Sequence, residues 1–66
     1  MTERALRDLR PGDVVDLYGT RRVVVDVAKD FDSHGYPLRV VTFADGGDAL
    51  THNATYTVDV LEQDGR

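Results

Sequence analysis

The stretch Asp13–Lys29, DVVDLYGTRRVVVDVAK, decides what this chain can build. Its two halves, Asp13–Tyr18 and Arg21–Lys29, are rich in β-branched valine, which suits a pleated, half-buried surface better than a helix. Only Gly19 and Thr20 separate them, a connection short enough for a tight hairpin. In an extended chain side chains alternate between two faces, so Val23, Val25 and Val27 share one face and Val24, Asp26 and Ala28 the other. The three valines are the expected core set, and Val24 and Ala28 the outer one.

Upstream, RPGD (Arg10–Asp13) places proline and glycine at the centre of a type II turn, with Gly12 at the position that demands a positive φ. Before it, Thr2 can cap a helical turn with Leu6 and Leu9 on one side, and Pro11 stops any helix at about Arg10. Downstream, LRVVTF (Leu38–Phe43) reads as a third strand; Leu38, Val40 and Thr42 oppose Arg39, Val41 and Phe43, so periodicity leaves its inward face open, and Val41 and Phe43 are the inward choice. ADGGD then turns, with Gly46 and Gly47 as the positive-φ residues of a hairpin. ALTH (Ala49–His52) is a short fourth strand. TYTVDVL (Thr55–Leu61) is a fifth, with Tyr56, Val58 and Val60 on one face, and Asp64, Gly65 and Arg66 are expected to fray.

The expected fold is all-β, a small five-stranded antiparallel barrel with a short N-terminal helical turn. The whole chain, 1–66, reads as one domain: 1–10 the helical turn, 11–61 the strands, 62–66 a frayed tail. Closure into a barrel hides strand edges that would otherwise invite pairing. The segments LRPGDVV, GTRRVVVDV, VTFADG and YTVDVL, spanning about residues 9 to 61, resemble small SH3-like barrels of the Tudor and KOW type. That resemblance implies a fold more than a function.

A chain of 66 residues buries only about 60% of its unfolded surface. With no cysteine, neither a disulfide nor a thiolate zinc site can supplement its core. The N-terminus MTERALRDLRPGD lacks the basic-then-apolar plan of a signal peptide, and no apolar run approaches the roughly 20 residues of a membrane span. A cytoplasmic protein with no membrane contact is the expectation. Valine, aspartate, glycine and arginine usage suits GC-rich coding, which points to an actinobacterium or its phage.

Twelve acids against eight bases leave a net charge of −4, so the average field repels nucleic acid and attracts basic surfaces. Six of the seven arginines, at 4, 7, 10, 21, 22 and 39, nevertheless fall in the first two thirds of the chain. A local basic patch of Arg10, Arg21, Arg22 and Arg39, beside Tyr18 and Tyr36 for stacking, would be the route to nucleic acid. The competing reading is an ion-pair lattice in which Asp8, Asp13, Asp16, Asp26 and Asp59 answer those arginines across the strands.

Motifs for chemistry are sparse. Asp30, Asp32 and Gly35 match the first, third and sixth places of an EF-hand loop, with His34 at the fifth. The twelfth place, which needs a bidentate glutamate, is Val41, and the flanks are strands rather than helices. The stretch therefore reads as a solvated turn in which Asp32, Ser33 and Gly35 make local hydrogen bonds. His34 and His52 with Asp30, Asp32, Asp45 or Asp48 would be the ligands of a transition metal, but they belong to different loops, so no metal or cofactor is expected. Thr51, His52 and Asn53 fit no nucleophile motif, the sole serine is Ser33, and GGD lacks the lysine and serine of a phosphate loop. The chain reads as a protein that is not an enzyme.

What remains is surface recognition. A proline-helix groove commonly uses tryptophan, which is missing. A methyl-lysine cage would need Tyr18, Phe31 and Tyr36 to converge with Asp30 or Asp32. The preferred expectation is a small protein-interaction module, an accessory or regulatory protein of a phage or bacterium. Its partner would be an unidentified protein or a second copy, contacted through Val24, Leu38, Tyr18, Tyr36 and Phe31. The physical motive is that Val24 and Ala28, with Leu38 and Val40, lie on faces opposite the expected core sets and leave apolar area outside. Leu6 and Leu9 are the alternative cover for that area. Asp30, Asp32, Asp45 and Asp48 as a shared acidic rim would make a DNA mimic, a variant of the same reading.

Overall fold

The computed structural model describes residues 2–62. Asp64, Gly65 and Arg66, expected to fray, lie outside the described residues, whereas Glu62 is the last residue of a strand. The chain is all-β: β1 (Thr2–Ala5), a 3₁₀ turn (Leu6–Asp8), β2 (Val14–Leu17), β3 (Thr20–Phe31), β4 (Pro37–Phe43), β5 (Leu50–Asn53) and β6 (Thr57–Glu62). All pairings are antiparallel, in a six-stranded sheet ordered β1-β6-β2-β3-β4-β5. Among the described residues no helix is long and apolar enough to cross a membrane.

Six strands replace the five expected because the N-terminal helical turn is confined to Leu6–Asp8. Thr2 caps nothing: it pairs with Val60, and β1 runs beside β6 as far as Ala5 opposite Thr57. The eight residues between Thr2 and Pro11 are too few to repay helix nucleation, whereas an edge of β6 offers backbone partners at once. Leu6 and Leu9 do share one side, and that side is the core, at 0% and 5% exposure.

The β2–β3 hairpin turns one residue earlier than read, through Tyr18 and Gly19. Both have positive φ, 53° and 82°, the type I′ geometry whose twist matches paired strands. Gly12 has the positive φ, 96°, that the RPGD turn requires, and Asp13 N donates to Arg10 O at 3.1 Å.

The core set of β3 is corrected. Val24 is buried at 1% exposure, while Val23 and Val25 stand 41% and 45% exposed. The cause is a β-bulge: Val24 pairs with Phe43 and Asp26 with Thr42, so Val25 is an extra residue opposite no partner. A bulge breaks the two-residue period, and the inward positions become Val24 and then Val27. On β4 and β6 the period is unbroken, and Val41, Phe43, Val58 and Val60 are buried as expected. With Leu6, Leu9, Val15, Leu17 and Val24 they form one core cluster. Each such side chain contributes about 1.5–3 kcal/mol on burial.

Candidate functional site

The two ends of β3 carry the exposed rings. At the far end Phe31 pairs with Pro37, and the turn between them is organised by Asp32. Its Oδ1 accepts from His34 N at 2.8 Å and Tyr36 N at 2.9 Å, while Asp32 N donates to Tyr36 O and Gly35 N to Asp32 O, each at 3.0 Å. Gly35 supplies a φ of 84°. The aspartate that resembled a calcium ligand thus holds its own backbone. Among the described residues no three His, Cys, Asp or Glu gather in a way that could hold a metal. The turn leaves Phe31 65% and Tyr36 64% exposed, beside an open groove of about 550 Å³ lined by Asp32, His34, Tyr36, Pro37, Asn53, Ala54 and Thr55.

At the near end Tyr18 stands 93% exposed on its hairpin tip. Beside it runs a second groove, of about 510 Å³, lined by residues that include Leu17, Tyr18, Asp45, Asp48 and Leu50. Its wall is braced by Arg22. That guanidinium donates through Nε and Nη2 to the two oxygens of Asp45, each at 2.9 Å, and through Nη2 to Asp48 O at 3.3 Å. It also lies 4.0 Å over the Phe43 ring, a cation–π contact. The hydrogen bonds from Arg22, and then that from Gly47 N at 2.8 Å, hold the Asp45 carboxyl below its ordinary range. The Asp45 carboxylate in turn raises Arg22 above an already high value. Gly47 is not a positive-φ residue; Gly46 is, at 75°. Gly47 is there for space, because a Cβ on it would lie 2.5 Å from Arg22 Nη2.

Twelve residues of β3 separate the two ends in a molecule 33 Å long, and the grooves at the two ends share no lining residue. Tyr18 therefore does not converge with Phe31 and Tyr36, and the aromatic cage is not assembled. Val24 lies in the core and offers nothing to a partner. Leu38 is half-buried, paired with Asp30 and Asn53. The acids divide in the same way: Asp30 and Asp32 lie before β4, Asp45 and Asp48 after it, so they form no single rim.

The four arginines proposed for nucleic acid also fail to meet. Arg21 and Arg22 are successive strand residues on opposite faces, the first ion-paired with Glu62, the second with Asp45. Arg39 lies opposite Lys29 and His52, towards the far end of β3, and its Nη1 donates to Leu38 O at 2.9 Å. Arg10 belongs to the N-terminal segment. Asp13 is no member of an exposed lattice either: it is 0% exposed and its Oδ2 accepts from Arg10 N at 2.9 Å. The Arg22–Asp45 clamp was invisible in the sequence because its partners are 23 positions apart and no local pattern joins them. The His52–Tyr56 stack, with centroids 3.9 Å apart, joins near neighbours in the chain, and the turn between β5 and β6 is what brings the two rings face to face.

No protein-family model matches the chain, and neither a curated protein nor a solved structure matches it.

Proposed function

We propose that the protein is a small non-enzymatic interaction module, a barrel of the SH3-like kind, that binds a protein partner through the rings at its hairpin ends. One observation carries the reading. Of five aromatic residues, three, Tyr18, Phe31 and Tyr36, are exposed at 93%, 65% and 64%. A chain this short has little apolar surface to spare from its core, and exposed aromatics are the residues that dominate protein interfaces. Phe31, Tyr36 and Pro37 on the β3–β4 end are the primary contact, with Leu38 alongside. Support for the barrel comes from the bulge at Val25, which bends a strand shared by both halves of the sheet. The nucleic-acid alternative draws less support, since two of its four arginines are in ion pairs.

The test is affinity capture from lysate of the source organism or its host, with and without nuclease. The expected result is a stoichiometric protein that survives nuclease and is lost with Phe31→Ser and Tyr36→Ser together. Recovery abolished by nuclease would overturn the reading in favour of the arginines.

A further inference from the structure

Arg4, Arg7, Asp8, Leu9 and Arg10 line one recess of about 200 Å³. Its backbone is held firmly. Leu6 and Leu9 are sunk in the core, Leu6 N donates to Tyr56 O at 2.8 Å, Arg7 N to Ala54 O at 3.1 Å, and Leu9 N to Leu6 O at 3.1 Å. Leu6 and Leu9 go inward, while Arg7 and Arg10 are exposed and line the same recess.

The lining carries three cations and one anion, on a chain whose net charge is −4. Among the described residues the side-chain ion pairs of Arg21 and Arg22 lie elsewhere. Arg4 has an interaction of its own in the fold and serves as wall and field, while Arg7 and Arg10 supply the donors. A guanidinium fork matches a tetrahedral oxyanion with two parallel hydrogen bonds. The volume is below the roughly 300 Å³ at which pockets take larger organic ligands, which selects a small anion.

We propose that this recess is a binding site for a small phosphate anion, inorganic phosphate or pyrophosphate, held by Arg7 and Arg10. The proposal is independent of the interaction module, whose rings lie on other elements. It is tested on the full chain by amide NMR titration with inorganic phosphate and with pyrophosphate, against sodium chloride at matched ionic strength. Saturable shifts confined to residues 6–10 are expected with both phosphates and not with chloride, the more highly charged pyrophosphate binding more tightly. Arg7→Gln with Arg10→Gln should weaken binding at least about tenfold, since each charge-assisted bond is worth that order. Arg10→Lys, which keeps the charge but loses the fork and is the milder change to the fold, should weaken it several-fold. Arg21→Gln should leave it unchanged. Linear shifts of equal size in chloride, or an Arg21→Gln loss as large as that of the pair, would overturn the proposal in favour of diffuse screening.

Discussion

Tyr18 holds a φ of 53°, a conformation that asparagine or glycine adopts readily and a bulky residue does not. Its side chain recovers nothing by burial. Tyr18→Asn should therefore stabilise the isolated protein by about 1 kcal/mol, read as a higher urea midpoint; a lower midpoint would mean that the ring supports the hairpin. Asp13 is the opposite case, a buried carboxylate closing the RPGD turn. Asp13→Ala leaves the Arg10 N–H without its acceptor and should cost about 1–3 kcal/mol. Asp45 brings a pH dependence. Because its folded pKa is depressed by Arg22 and Gly47, its contribution is complete above the unfolded carboxylate value of about 3.9 and is lost as pH falls through the lower folded one. In melting curves the margin of wild type over Asp45→Asn should be largest at pH 7 and shrink as the pH is lowered through and below about 3.9.

At the scale of the element, the bulge in β3 is the feature with the largest consequence. It turns Val24 inward and leaves Val23 and Val25 outside, so adjacent valines should respond differently. Val24→Ala, at 1% exposure, should cost about 2 kcal/mol. Val25→Thr should stay within about 0.5 kcal/mol. Equal costs in a chemical denaturation series would show that the strand keeps an unbroken period. The face of β6 was legible in the sequence because its alternation is uninterrupted, and the turn at Gly12 because proline and glycine leave one solution; β4 carries apolar residues on both faces, so its periodicity alone left the choice of Val41 and Phe43 open. The bulge was not legible, since VVVDV reads equally well in either register and only the pairing of Phe43 and Thr42 with β3 selects one. β1 was misread for a related reason: TERA has no strand pattern of its own, and its pairing depends on a β6 some 55 positions away.

For the whole molecule, the margin is small. A domain of this length has a stability of roughly 3–10 kcal/mol, and truncating a buried leucine costs about 2–5 kcal/mol. Leu6→Ala with Leu9→Ala should therefore unfold the chain outright, seen as loss of the folded amide spectrum. A folded double variant would mean that the N-terminal segment is a removable cover and not part of the core. Composition, turn residues and β-branched runs by themselves determined an all-β chain, a tight hairpin between β2 and β3 though not its exact turn residues, the inward face of β6, and a turn in place of a calcium loop at Asp32. Each of these depends on neighbours within a few residues, where sterics and hydrogen bonds are local. Tertiary structure alone decided the sixth strand, the inversion of the β3 valines, the Arg22–Asp45 clamp and the separation of Tyr18 from Phe31 and Tyr36. Those depend on which distant backbones pair and in what register, and that is settled by the burial of one small shared core.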